Sequence, residues 1–370
     1  MVLGVLAGTW GAHVPSVKAH YALSEGALAV VLFAAAAGTV LSLFVAGRIV
    51  GSIGARGAAA LAALTMSGVL ATVLHFPGVA WLLPAMVAFG AAMSLFDVAI
   101  NTEGSVLESL AGRAVMSNLH GMFSIGGMTG AALAAYLLAH AVLPATQLYA
   151  VCAGTAVVAV VAAAGMLRTH PGAAADDPAA HFVWPRGLLL IVGLLIFAGM
   201  TAEGVMYDWS VLYLHQDVGM SQAWAAAGYA VFSAAMALSR FAGDALRTRY
   251  SEQALLRFGA TLAAAAMTVV LLTAVPWIAL VGFALVGAGL APVAPILFNA
   301  ATRVPGVTRA AAIASVTSIG YSGFMIGPPL IGSIATLASL PLALAVVAVA
   351  AGALAYGARF VPEGPVRAER

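Results

Sequence analysis

Two pairs of polar residues interrupt long apolar stretches at helical spacing. Glu203 is followed one turn later by Tyr207, and Asp97 is followed one turn later by Asn101. Side chains four residues apart share a helix face, so each carboxylate has a hydrogen-bonding neighbour. An ionised side chain at the middle of a membrane span costs about 2.5–3.5 kcal/mol, and such residues usually mark a cavity, a partner or a proton path. We therefore expect Asp97 and Glu203 to bind and release protons.

Both pairs also have a structural interpretation. Asp97 and Asn101 could form a polar clamp to His120, and Glu203 could be a neutral acid bonded to a facing helix. His120 suits a proton relay because its ordinary pKa is near neutral, but a lone histidine can equally be a structural donor. Interhelical hydrogen bonds are the alternative for the remaining polar candidates. The residues that we expect to bind a solute are Asn101, His120, Tyr207, Asn299 and Tyr321.

Charged residues near the ends of the apolar segments predict a cytoplasmic gate. Its expected members are Arg48, Arg56, Arg240 and Asp244. Glu103 and Glu108 lie nearer the cytoplasmic end of their segment, where we expect them to pair with loop arginines such as Arg113. The histidines at the opposite ends show no metal-ligand spacing, and an interfacial position is sufficient to explain them: His13, His20, His75, His140 and His215.

The composition requires that membrane helices position these residues. Only 15 basic and 13 acidic residues occur in 370, and the mean hydropathy is +1.05. A soluble domain is about one quarter charged, so the chain is expected to be an all-α, polytopic membrane protein. The single cysteine, Cys152, excludes an internal disulfide framework, and no basic cluster suggests nucleic acid. Walker, nucleophile-elbow and HExxH motifs are absent, so we expect no enzyme, cofactor or metal.

Polar and Gly/Pro breaks divide the sequence into twelve predicted spans. Their predicted bounds are 1–18, 25–50, 57–75, 79–105, 113–139, 144–167, 187–214, 221–246, 252–274, 276–303, 309–337 and 339–361. The longest polar stretch predicts a linker at 168–186 between two six-helix bundles, 1–167 and 187–362, with a tail at 363–370. Met1–Trp10 lacks a basic region and a cleavage site, so we interpret it as part of the first span.

The distribution of basic residues predicts the orientation. Nearly all arginines fall at alternate loops or in the C-terminal tail, whereas Lys18 falls on the opposite side. Because Lys and Arg are retained in the cytoplasm, both halves should begin inside and the C-terminus should be cytoplasmic.

A weak internal repeat supports two related halves. Ser-Ile-Gly occurs at 124–126 in span five and again at 318–320 in span eleven. Asp97 and Asn101 in span four correspond in spacing to Pro295 and Asn299 in span ten. Matches in the same order favour duplicated bundles.

Six plus six spans, a central linker and a short charged loop after span two resemble the major facilitator superfamily. The family's loop signature is roughly G-x-x-x-D-R-x-G-R-R, and Gly47, Gly54 and Arg56 fit it. Gly51 and Ser52 replace the signature Asp-Arg, whose acid normally helps to hold the outward-facing state. The strings Asp97–Asn101, Ala202–Gly204 and Asp208-Trp209 are similar to those of a poorly characterised group of bacterial inner-membrane members.

This resemblance implies a monomeric secondary transporter of the bacterial inner membrane that works by alternating access. The carboxylate and amide candidates favour proton-coupled movement of a small polar solute, such as a sugar or related metabolite. Two alternatives remain: a proton-driven exporter of drugs or metabolites, and a non-transporting sensor on the same fold. The first predicts a large aromatic-lined cavity, and the second predicts that neutralising Asp97 or Glu203 leaves function intact.

Overall fold

The computed structural model describes residues 1–111, 116–167 and 184–362, apart from six side chains (Met116, Ser117, Asn118, His120, Asp244 and Ala310). Most of the predicted linker, the predicted tail and Arg113 lie outside this described part. Within it the chain forms helices and no β-strand. Helices are expected in lipid because each satisfies its own backbone hydrogen bonds.

Twelve α-helices follow one another along the described part of the chain. They are α1 (Val2–His20), α2 (Glu25–Thr72), α3 (Val79–Ala111), α4 (Met116–Ala139), α5 (Pro144–Ala164), α6 (Leu188–Gln216), α7 (Gln222–Arg247), α8 (Glu252–Thr273), α9 (Pro276–Leu290), α10 (Val293–Ala301), α11 (Arg309–Leu337) and α12 (Leu340–Gly357). A short 3₁₀ turn, Ala358–Phe360, follows α12.

These helices supply the twelve predicted spans, with two differences in how the chain is divided. Helix α2 has 48 residues, about 72 Å if straight, which is more than twice the thickness of the hydrocarbon core. Gly54 interrupts it with φ 76° and ψ 157°, so α2 provides spans two and three. Span ten is divided instead, because the chain leaves α9 at Ala291 and re-enters a helix, α10, after Pro292.

The described chain divides into two compact units. One contains the residues up to Leu167 together with Asp208–Ala230, and the other contains Trp184–Tyr207 with the residues from Val231 onward. The end of α6 and the start of α7 therefore group with the first unit, whereas the linker alone predicted a division near 168–186. Gln222 explains part of this grouping, because its Nε2 donates to the Ala12 carbonyl oxygen at 3.1 Å and to Ser16 Oγ at 2.7 Å.

Glycines let α1 and α4 approach each other closely within the first unit. A Cβ at Gly8 would lie 2.1 Å from the Gly127 carbonyl oxygen, and one at Gly130 would lie 2.2 Å from the Val5 carbonyl oxygen. Small residues permit such backbone contact between membrane helices. The α1–α4 glycine contact therefore fixes the first helix of this unit.

The second unit uses the equivalent pair of helices in the same way. A Cβ at Gly323 on α11 would lie 2.7 Å from the Phe197 carbonyl oxygen on α6, and one at Gly320 would meet Ile196 Cγ2 at 2.5 Å. The two Ser-Ile-Gly strings thus lie on α4 and α11, each of which packs on the first helix of its half. The predicted repeat is matched by repeated packing.

Candidate functional site

The second unit contains a carboxylate near the middle of a membrane span. Glu203 lies near the centre of the 29-residue helix α6. Tyr207, one turn further along, donates a hydrogen bond from its hydroxyl to Glu203 Oε1 at 3.0 Å. The two side chains share one face of α6, as their spacing predicted.

Arg240 provides the charge partner of this carboxylate. Its Nη2 lies 3.2 Å from Glu203 Oε1, and the two side chains are only 17% and 14% exposed. Removing a carboxylate and a guanidinium from water is costly, and pairing them offsets much of that cost. The prediction from sequence placed Arg240 in a gate near the loops, whereas the structure places its guanidinium on the acid of α6.

Aromatic rings of α7 and α11 pack against the residues of α6 that neighbour the acid. The Tyr207 ring meets Phe232 of α7 edge-on, with centroids 5.4 Å apart. The Phe324 ring of α11 covers Gly204, where a Cβ would lie 2.7 Å from Phe324 Cδ1, and the Tyr321 ring lies 6.3 Å from that of Phe324. We call Glu203, Tyr207 and Arg240, with these three rings, the Glu203 site.

The Glu203 site combines features suited to a polar solute. Its carboxylate can accept a proton or a hydroxyl hydrogen bond, and its guanidinium donates several hydrogen bonds in a fixed plane. Aromatic faces can cover the apolar side of a small molecule while the polar groups orient it. Among the described residues, no group of three or more His, Cys, Asp or Glu could hold a metal ion.

The second predicted carboxylate lies in the first unit. Asp97 and Asn101 are both partly exposed on α3. The His120 side chain is outside the described residues, so the predicted clamp between it and Asp97 stays a prediction. The predicted roles of Asp97, Asn101 and His120 therefore rest on the positions of these residues in α3 and α4.

Asn299 lies in a different cluster from the one predicted. Its Nδ2 donates to Glu252 Oε1 at 2.9 Å, and Glu252 also accepts hydrogen bonds from Arg247 and Arg303. This Glu252 cluster joins the end of α7, the start of α8 and the end of α10. The contact assigns Asn299 an ionic network at the helix ends rather than a contact with the Glu203 site.

Glu252, the centre of this cluster, was not among the residues predicted from sequence. Glu252 directly follows Ser251, whose hydroxyl accepts from the Ala254 amide and caps α8. An acid in the first turn of a helix is a common capping feature, but the five-residue distance from Arg247 was an available signal for an ion pair.

Of the predicted gate residues, Arg48 and Arg56 flank Gly54, and the Asp244 side chain is outside the described residues.

Glu103 and His13 are both buried. Glu103 is 8% exposed and accepts a hydrogen bond from the Leu167 amide at 2.9 Å, and its predicted pairing with Arg113 stays a prediction because Arg113 is outside the described residues. His13 is fully buried against protein, and its Nδ1 lies 2.9 Å from the Thr9 carbonyl oxygen, so it is not available as a surface ligand. Gln147, also buried, donates to the Val142 carbonyl oxygen at the start of α5.

Comparisons with known proteins give one consistent result. Residues 2–322 match the family model described as Major Facilitator Superfamily. An uncharacterized MFS-type transporter of Yersinia pestis is 35% identical over 360 residues, which are 97% of this chain and 93% of that protein. Among solved structures, a D-xylose-proton symporter superposes with a TM-score of 0.74 at 15% identity, covering 98% of this chain and 96% of its own. The nucleoside transporter NupG gives 0.73 at 13% identity, covering 97% of both chains.

Proposed function

Because the chain belongs to the major facilitator superfamily, we propose that it couples the movement of a small, uncharged polar solute to protons through Glu203. The protein is a multi-pass membrane transporter of that family and not an enzyme. We also propose that it acts as a monomer in the bacterial inner membrane, with its C-terminus in the cytoplasm. The observation that carries it is the paired, largely buried Glu203 carboxylate at the middle of α6.

The ion pair explains how a proton and a solute can favour each other's binding. When Glu203 takes up a proton, Arg240 loses its counter-charge, and its guanidinium needs other hydrogen-bond acceptors. Solute hydroxyl oxygens can supply them, so protonation favours solute binding. By linkage, the bound solute then favours protonation of Glu203 to the same extent. Release of the proton restores the 3.2 Å ion pair and weakens the hold on the solute.

The aromatic residues support a sugar-like or nucleoside-like solute. The Tyr207 ring carries the hydroxyl that binds Glu203, and the rings of Tyr321 and Phe324 lie on α11, which packs on α6 at Gly204. Such rings are expected for a solute with one apolar face and several hydroxyls. Two solved structures with the same fold are a D-xylose-proton symporter and a nucleoside transporter. Alternating access between the two halves is the corresponding mechanism.

Transport in proteoliposomes with an internal pH dye tests the proposal. A panel of sugars, nucleosides and sugar acids is added outside, and both proton flux and solute uptake are followed. We expect Glu203→Gln to abolish solute-driven proton flux while solute exchange continues. Glu103→Gln is the matched control, because that carboxylate contacts the Leu167 amide and should leave proton flux unchanged. Proton flux in Glu203→Gln equal to that of the unaltered protein contradicts proton coupling through Glu203.

A second function is favoured by the position of Arg240. A solute carboxylate could replace Glu203 on the guanidinium, in which case the protein moves an organic acid together with a proton. The same panel separates the two functions. Uptake of sugar acids only, lost in Arg240→Gln, supports the anionic solute, whereas uptake of neutral sugars supports the primary proposal.

A further inference from the structure

A cavity of about 550 Å³ opens at one end of the second unit. It lies between the start of α6, where Trp184, Arg186, Leu188 and Leu189 line it, and the connection from α10 to α11. That connection contributes Val304, Pro305 and Val307. We call this space the α6 entry cavity. Its volume is within the range of small-molecule sites, and its lining is apolar except for the Arg186 guanidinium and the Trp184 indole N–H.

Arg186 leaves its guanidinium open beside this cavity. It is exposed and forms no ion pair or hydrogen bond with any residue in the described part of the chain. By contrast, Arg247 and Arg303 bind Glu252, and Arg359 lies over the Tyr356 ring at 3.7 Å. A guanidinium left open beside an apolar cavity is suited to an anion that carries an apolar chain.

The position of the cavity along the chain indicates the class of anion. Leu188 begins a helix that is long and apolar enough to cross a membrane, so we expect Arg186 at the level of the lipid headgroups. Trp184 is 72% exposed, as interfacial tryptophans commonly are. Within residues 184–362, seven arginines occur near this end of the second unit against two acids, Asp244 and Glu252. The seven are Arg186, Arg247, Arg249, Arg257, Arg303, Arg309 and Arg359.

We propose that the α6 entry cavity binds the headgroup of an anionic phospholipid. Arg186 contacts the phosphate, Trp184 lies at the level of the glycerol, and Leu188, Leu189 and Val307 cover the first methylenes of an acyl chain. Basic pockets at the ends of membrane helices commonly select anionic headgroups. Because the lipid contacts both α6 and the α10–α11 connection, it holds together two ends of this unit.

Thermal unfolding and native mass spectrometry of the purified protein test the site. The protein in neutral detergent is titrated with phosphatidylglycerol or, separately, with phosphatidylcholine of the same acyl chains. We expect phosphatidylglycerol to raise the unfolding midpoint more and to remain bound in the gas phase. Arg186→Gln should weaken its binding at least tenfold, and Arg186→Lys should weaken it less. Arg257→Gln is the matched control, since Arg257 is exposed at the same end and does not line the cavity.

A second variant separates the cavity from general charge attraction. Val307→Phe fills the cavity without changing a charge, and we expect it to reduce phosphatidylglycerol binding as Arg186→Gln does. Equal binding of the two lipids by the unaltered protein overturns the proposal, as does an equal loss in Arg186→Gln and Arg257→Gln. Inorganic phosphate is added as a competitor: displacement of the lipid at millimolar phosphate would mean a site for a soluble anion and also overturns it.

Discussion

Arg240 Nη2 lies 3.2 Å from Glu203 Oε1, although the two residues are 37 positions apart and belong to different helices. The contact joins α6 to α7 through two charges that have little access to water. Such a pair differs from a surface ion pair, because losing one partner leaves the other charge without compensation in a poorly solvated place.

The stability of the protein should therefore depend on the pair more than on either residue. Glu203→Gln and Arg240→Gln should each lower the free energy of unfolding by about 3 kcal/mol. The double variant should lose much less than the sum, because no lone charge remains. Unfolding titrations of all four proteins in mixed micelles give the interaction energy. Losses that add up would show that the two side chains do not stabilise each other.

The Tyr207 hydroxyl should have a measurable effect of its own. Tyr207→Phe removes the 3.0 Å hydrogen bond to Glu203 but keeps the ring against Phe232, so we expect a loss of about 1.5 kcal/mol in unfolding free energy. Tyr356→Phe is the control, because its hydroxyl makes no hydrogen bond within the described ranges while its ring keeps Arg359. An equal effect of both variants would contradict the assigned hydrogen bond.

The α1–α4 glycine contact should not tolerate a methyl group. Gly8→Ala places a Cβ 2.1 Å from a backbone oxygen of Gly127, which cannot move aside as a flexible side chain can. We expect a loss of about 1–3 kcal/mol, the usual cost of overpacking, and a lower thermal midpoint. Gly154→Ala on α5 meets nothing within 4 Å and should be neutral or slightly stabilising. An equal unfolding temperature of the two variants would contradict this prediction.

Gly54 should be needed for its backbone conformation rather than for space. Its φ of 76° and ψ of 157° lie in a region almost restricted to glycine, whereas nothing lies within 4 Å of a Cβ built there. Gly54→Ala should therefore cost about 1–3 kcal/mol. Gly51 lies three residues earlier and its surroundings are equally open, so Gly51→Ala should not lower the stability in this way. Circular dichroism melts of the two variants provide the test, and a stable Gly54→Ala protein would contradict it.

Asp217, in the connection between α6 and α7, should make stability depend on pH. Burial raises its pKa, the negative charge of Glu25 raises it further, and Lys18 partly opposes them. The folded state thus keeps a proton that the unfolded state releases, so stability falls as pH rises from about 3.9 through the raised value. Asp217→Asn should remove this fall. At pH 7 its free energy of unfolding should exceed that of the unaltered protein by no more than about 0.5 kcal/mol. Identical pH profiles would exclude the effect.

The helices of this protein could be predicted because lipid imposes a simple requirement on sequence. Each span needs roughly 20 apolar residues, and interruptions such as 73–78 or 217–221 are readily recognised between them. Glu203 and Tyr207 could also be paired in advance, since four residues along one helix define a shared face. The loop predicted at 51–56 is instead helical on both sides of Gly54, because one positive φ is enough to end a helix.

Contacts between helices were less predictable from sequence. Arg240 reaches Glu203, and Asn299 reaches Glu252, only through the relative register of α6 with α7 and of α8 with α10. Register is set by close contacts such as Gly323 on Phe197, which depend on the folded arrangement of helices and have no local sequence pattern. The types of residue in the site were therefore foreseeable, whereas their partners were not.

The single-residue interruption of α2 has a consequence for biosynthesis. The two arms on either side of Gly54 are joined by a single non-helical residue, so we expect them to enter the bilayer together as a helical hairpin. An epitope or protease site inserted between Arg48 and Arg56 would separate these arms, which makes this turn a poor position for a reporter of topology.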